Sequence, residues 1–286
     1  MKQLFLILFF VSVCTTFAAA DLLEGLVLYM PLDEGTGKAT EDFSENGFEG
    51  ALTGGAKWVD GKFGKALEFS ASSDFVEVED DEVFHIEDEI TQAAWINLNR
   101  LPSAHAIVFG TRMGGGGRHI GFGYGMNPGN GIKVWTNGAG GGFLDINDNA
   151  TKLDTGKWYY LAYTHTSGNK GKVKIYVDGE VTHEQDSNNP VAPAGATSRI
   201  QIGTWAGEAW PGMVDEVRLW NRALSDDEME QSMEMGRMNS WLLIRRINSP
   251  RLGGKLSNFA NGNEAATLPP FFIPSYQNTA PYGTMI

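Results

Sequence analysis

From about Glu24 to Val214, short apolar-periodic runs alternate with turn signals at roughly ten-residue spacing, the period-two pattern of half-buried strands. The runs GLVLYMPL, KALEFSA, DFVEVED, TQAAWINLN, AIVFGTR, IGFGYGM, IKVWTN, WYYLAYTHT, KVKIYVD, EVTHEQD and RIQIGTW predict strands, and their regular spacing predicts an all-β sandwich. Asp178-Gly179, between two alternating runs, predicts a type I′ hairpin turn. The segment TSGNKGK before it predicts a longer hairpin loop.

One helix start is well marked. Ser225 has the side chain of an N-cap, Glu228 completes a capping box, and Asp226 and Asp227 fill the positive end of the first turn. Leu224 and Met229 fit a hydrophobic staple, and the helix is expected to run to about Met235 and stop at Gly236. In the strand before it, GMVDEVRLW, strict alternation puts Met213, Asp215, Val217 and Leu219 on one face and Val214, Glu216, Arg218 and Trp220 on the other. The first set reads as the core face, so Asp215 is expected there, where a carboxylate needs a partner.

Composition fits this reading. The chain has 286 residues, 42% hydrophobic and 20% charged, an ordinary globular balance with material for one large or two small domains. Its 36 glycines cluster between strand-like runs, as many turns require. Residues 1–20 read as an export signal: Lys2, the apolar run LFLILFFVSV, and Ala18-Ala19-Ala20 before Asp21, with cleavage after Ala20. That run is too short to span a membrane, and Val13 before Cys14 argues against lipid attachment. Cys14 is the only cysteine, so the mature chain has no disulfide and relies on core size or metal ions.

The formal charge is −13, or −14 once Lys2 is removed, which argues against nucleic acid or anionic membrane as partner and is compatible with divalent cations. The signal is followed by a domain at 21–236. Residues 237–286 form a basic, proline-containing tail of net charge +4, expected to be poorly ordered.

Five ordered motifs carry a family resemblance. The stretch LVLYMPLDEGTGKATEDFSENGFEGALTGGAKWVDGKFGKALEFSASSDFVEVED, then ITQAAWINL, GKWYYLAYTHT, KVKIYVDGEV and GMVDEVRLWNRALSDDEM, resembles the laminin-G-like, concanavalin A-like jelly-roll domains of bacterial secreted proteins over about residues 24–235. The resemblance implies two antiparallel sheets of six or seven strands each, packed face to face, with a short C-terminal helix. It also implies that Asp42 of the N-terminal turn and Asp215 of the last strand share one calcium ion, with Ser44 and Asn46 as further ligands. The turn departs from the family pattern: Glu45 of DFSENG stands where family members carry Gly, a costly residue if the position needs positive φ. Without calcium, Asp42 caps its own turn and Asp215 accepts from backbone amides or Arg218.

Catalysis finds little support. Sandwich glucanases place two carboxylates on one strand face, and the nearest approach is VEVEDDEV, Glu77 to Glu82, which reads as a solvated strand end. There is no mature Cys, no Gly-x-Ser-x-Gly elbow, and the five histidines show no metal spacing. GTRMGGGGRH lacks the Lys-Ser/Thr of a phosphate loop and reads as a hairpin loop. Glycan recognition uses aromatic platforms and amides: Trp205 and Trp210 in TWAGEAWPG, Trp135 and Asn137 in KVWTNGAGGGF, and Tyr124 in FGYGMNPGN are the candidates. Trp95, Trp158 and Trp220 read as structural. The expectation is a secreted, non-catalytic module recognising a glycan or glycoprotein surface, with protein–protein adhesion and glycoside hydrolysis as rivals.

Overall fold

The computed structural model describes residues 22–113, 119–125, 131–137, 143–191, 198–205 and 208–238. Its strands in chain order are β1 (Leu26–Met30), β2 (Ala39–Glu41), β3 (Glu49–Thr53), β4 (Lys57–Asp60), β5 (Lys65–Phe69) and β6 (Phe75–Val78). Next come β7 (Glu89–Leu98), β8 (Ala106–Met113), β9 (His119–Gly125), β10 (Gly131–Asn137), β11 (Phe143–Asp148) and β12 (Trp158–Thr166). The last are β13 (Lys172–Val177), β14 (Glu180–Asp186), β15 (Ser198–Ile202), β16 (Thr204–Trp205), β17 (Glu208–Ala209) and β18 (Gly212–Trp220), before the helix α1 (Asp226–Met233).

Two antiparallel sheets result. The first runs β14-β13-β12-β7-β18-β5-β4, with β1 alongside the second half of β18; the second runs β11-β10-β9-β8-β15-β6-β3-β2. Each has eight strands rather than six or seven. Besides the two-residue β17, the strands missing from the sequence reading are β2, β3, β4 and β11. Three of them are sheet edges and the fourth is next to one. Edge strands are kept short and polar, so they lack the apolar alternation that reveals central strands.

The inner faces meet in one core that includes Leu28, Phe109, Phe122, Leu161, Ile175 and Val217. The first sheet is covered on its outer face too. Tyr29, Trp95, Tyr160, Tyr176 and Trp220 pack there with Leu224, Met229 and Met235 of the C-terminal segment. A sheet buried on both faces needs apolar residues in both registers, which is why β7, β12 and β18 read as nearly continuous buried runs.

The capping box at α1 is present: Ser225 Oγ accepts from Glu228 N at 3.3 Å, and Glu228 Oε2 accepts from Ser225 N at 2.8 Å. The helix stops at Met233, earlier than expected, and a 3-10 turn follows over Met235–Met238. Gly236 therefore does not end the helix; a Cβ there would come within 2.8 Å of the Glu216 carboxyl carbon and strike the Phe63 ring. The hairpin turn is as expected, with Asp178 and Gly179 both at positive φ, 52° and 86°. In DFSENG positive φ falls on Gly47, at 65°, and Glu45 is spared it, so the departure from the family pattern carries no backbone strain.

The parity reading of the last strand is overturned. The register between β18 and β7 slips between Asp215 and Arg218, and Glu216 adopts a left-handed φ of 56°. This is a β-bulge, which inserts one residue into the alternation. Val214, Val217 and Leu219 all enter the core, while Trp220 faces outward into the covering cluster. Asp215 is opposite Trp95, a residue of that outer cluster. It is buried, but beneath the covering layer rather than between the sheets.

One titratable group does sit between the sheets. His165 is fully buried, with Nδ1 2.8 Å from Thr136 Oγ1 and Nε2 3.1 Å from Ser187 Oγ. Burial lowers its pKa from 6.5 to about 4. The unfolded chain thus takes up a proton near pH 6.5 that the native protein refuses until about 4. The contribution of His165 alone should be level above pH 6.5, fall by about 3 kcal/mol between pH 6.5 and 4, and level off below, against the opposite slope of any buried carboxyl with a raised pKa. Denaturant titrations of the wild type and His165→Gln check this: their difference in stability should change by about 3 kcal/mol between pH 6.5 and 4, and a difference independent of pH would overturn it.

Candidate functional site

Two regions hold the residues singled out by sequence. The first is the proposed metal pair. Asp42 is fully buried, and its two oxygens are engaged by β1 and by its own turn. Oδ1 accepts from Tyr29 N and Ser44 N, each at 2.8 Å, and Oδ2 from Phe48 N at 3.2 Å, with Ser44 Oγ 2.7 Å away. Burial raises the Asp42 carboxyl above its usual range, and these donors pull it back down. Ser44 and Asn46 are turned inward to the same knot, and the Asn46 amide donates to the Val27 carbonyl at 2.8 Å. These residues cap a turn, and as placed they do not fit a calcium ion.

Asp215 differs. Its Oδ2 accepts from Lys62 N at 2.8 Å and Phe63 N at 3.0 Å, tying the last strand to the loop before β5 rather than to the DFSENG turn. Oδ1 is buried with no hydrogen-bond partner. Burial and then the charge of Glu216 push this carboxyl up to about 9. The same loop donates Lys65 N to Asp33 Oδ1 at 2.7 Å, and Asp33 adds to the negative field at Asp215. An orphaned carboxylate oxygen in a negative field suits a hard cation, which takes oxygen ligands from carboxylates and backbone carbonyls. Among the described residues, no group of three or more His, Cys, Asp or Glu side chains is gathered to hold a metal ion, so backbone oxygens would have to complete such a site.

The second region is the outer face of the second sheet. Ile132 and Val134 of β10 enter the core, so Lys133 and Trp135 face outward. Register places Gly121, Trp135 and Asp145 in one cross-strand row and Gly123, Lys133 and Asn147 in the next. The glycines leave the β9 side of each row without side chains. They are required there by packing: a Cβ on Gly123 would run into the Ala106 carbonyl, and one on Gly121 would lie 2.8 Å from Gly110 Cα. Lys133 Nζ donates to Asn147 Oδ1, and burial lowers the lysine pKa against the opposing pull of Asp145. His105 stands edge-on to Trp135 with ring centres 5.7 Å apart; the indole is 5% exposed and Lys133 is buried.

The other aromatic candidates fare differently. Tyr124 and Trp210 are core residues, 1% and 0% exposed, and Trp210 Nε1 donates to the Met213 carbonyl. They offer no surface to a ligand: alternation turns Tyr124 inward, and the β16–β17 hairpin folds Trp210 back onto the sheet. The side chains of Trp205 and Asn137 lie outside the described residues. Glu77 faces outward from β6 as expected of a solvated strand end, but it is held there by Gln201 Nε2 at 2.9 Å and Arg199 Nη1 at 3.2 Å. The polar partners Gln201 and Arg199 went unnoticed in the sequence, where nothing links them to Glu77.

A family model described as the concanavalin A-like lectin/glucanases superfamily matches residues 70–230. The chain belongs to that superfamily. No curated protein matches it in sequence. Among solved structures, this superfamily member is similar to domain 4 of AbnA, an extracellular arabinanase of Geobacillus stearothermophilus determined with arabinotriose. The identity is 21% and the TM-score 0.58, covering 72% of this chain and 97% of that one. It is also similar to the ligand-binding domain of botulinum neurotoxin serotype D, determined with N-acetylneuraminic acid, at 16% identity and TM-score 0.55, covering 76% of this chain and 52% of that one. The sialidase of Trypanosoma rangeli, determined with sialic acid, matches at 19% identity and TM-score 0.56, covering 74% of this chain and 33% of that one. At these identities the likeness is one of fold, and the chain spans about half of the toxin domain and a third of the sialidase.

Proposed function

We propose that this superfamily member is a non-catalytic, exported carbohydrate-binding module whose sugar docks on the outer face of the second sheet. The observation that carries the reading is the pair of rows Gly121–Trp135–Asp145 and Gly123–Lys133–Asn147. An indole beside side-chain-free positions can take the apolar face of a pyranose once that ring, buried in the unbound protein, is uncovered, while Asp145 and Asn147 meet its hydroxyls. The likeness in fold to domain 4 of AbnA and to the neurotoxin ligand-binding domain, whose solved forms hold sugars, supports the same reading. Against hydrolysis, Glu77 is already occupied by Arg199 and Gln201, and its neighbour Glu79 is 4.0 Å from the same guanidinium.

We further propose that Asp215, not the Asp42 turn, is the residue of this chain suited to hold a structural calcium ion. Bound there, calcium would supply the positive charge that the buried carboxylate lacks. Asp33 and the loop from Gly61 to Lys65 are the groups nearest to join it.

A glycan array with the full mature chain, run with and without calcium, tests the sugar reading. Binding should be lost in Trp135→Ala. A blank array under both conditions, or binding indifferent to Trp135, would sink the proposal and favour a protein partner.

A further inference from the structure

We infer that one water molecule is a built-in part of the core, held between Gln92 on β7 and Tyr163 on β12. The two residues are direct cross-strand partners. Both face the inter-sheet core: Tyr163 is one of its members, and Gln92 shares its strand face with Ala94 and Ile96 and is paired on its other side with Leu219. Both are fully buried, at 0% exposure. Gln92 Nε2, Gln92 Oε1 and the Tyr163 hydroxyl have no hydrogen-bond partner.

A buried amide and a buried hydroxyl cannot stay unpaired in a native core, where nearly all such groups are satisfied by protein or by ordered water. Among the described residues no other group pairs with them. The Phe122 ring packs edge-on against Tyr163 at 6.0 Å, and the nearest polar group along β12, His165, is already engaged with Thr136 and Ser187. A buried water makes about three hydrogen bonds, and three orphan atoms are presented here: a donor, an acceptor and a hydroxyl that serves as either.

Oxygen-17 magnetic relaxation dispersion on the full mature chain tests the site, because it reads water molecules residing inside the protein for longer than bulk exchange allows. The dispersion amplitude should fall in the near-isosteric double variant Gln92→Met, Tyr163→Phe, with near-ultraviolet circular dichroism unchanged as proof of folding. Should the double variant not fold, Tyr163→Phe alone must still shorten the residence time of the water. An amplitude and residence time identical to the wild type would overturn the inference. So would a crystal structure in which the Gln92 amide bonds directly to the Tyr163 hydroxyl with no water between them.

Discussion

In EDTA at pH 8, Asp215→Asn should melt roughly 10 °C above the wild type, and it should lose any rise in melting temperature on adding calcium. The carboxylate accepts two backbone amides through Oδ2, which an asparagine oxygen can accept equally well. What the substitution removes is the need to take up a proton, or to bury a charge, at a fully buried residue whose second oxygen has no partner. With its pKa pushed up to about 9 from 3.8, Asp215 binds its proton more tightly in the folded protein than in the unfolded chain. Its contribution to stability is therefore greatest at low pH and is lost as pH rises toward 9. Near neutrality the cost is about 4 kcal/mol, at about 1.4 kcal/mol per pH unit. A calcium ion at saturating concentration reverses that cost for the wild type and can do nothing for the amide. A hundredfold excess over the dissociation constant stabilises by about 2.7 kcal/mol. Asp42→Asn is the control: it should lose stability by weakening its turn while keeping the calcium response of the parent. If Asp215→Asn melts below the wild type in EDTA, or if wild-type melts are identical with EDTA and with excess calcium, the assignment of Asp215 fails.

The second large effect is expected at Arg218. This guanidinium is fully buried on the outer side of the first sheet, paired with Glu216, and lies 4.6 Å from the centre of the Tyr29 ring. Tyr29 also donates to Glu216 Oε2 at 2.8 Å, so the carboxylate has a cation and a hydroxyl on it at once. Arg218→Met strands the Glu216 charge beneath the covering layer, and removing one member of a buried pair costs about 3–5 kcal/mol. Melting should drop by roughly 10 °C. The double variant Glu216→Gln, Arg218→Met should recover most of the loss, since a buried pair replaced as a whole is close to neutral. A single variant within about 1 kcal/mol of the wild type would mean that water already reaches the pair.

The central strands and the helix start were legible because their signals are local. Apolar alternation, an Asp-Gly turn and a capping box each declare themselves within a few residues. The edge strands β2, β4 and β11 were not, because an edge has little apolar surface to bury. The fate of Asp215 was misread for a different reason. Alternation counts positions, and a single left-handed residue at Glu216 resets the count without leaving a mark in the apolar pattern. The docking face was half legible. Trp135 stood out as an aromatic, but its rows with Gly121 and Asp145 depend on strand register, which no single segment encodes. Tyr124 and Trp210 resembled it in composition and differ only in which way their strands turn them.

The covered outer face of the first sheet gives the domain a polarity. At one end of the described chain, Leu22 is pinned by the Trp220 indole, whose Nε1 donates to its carbonyl at 2.8 Å. At the other end, Met235 packs into the same layer. Both ends of the described chain therefore lie on one broad side, while the glycine-floored rows lie on the opposite side. Whatever meets the free sheet therefore meets it on the side away from Leu22 and Met235, so the sandwich has a back and a front.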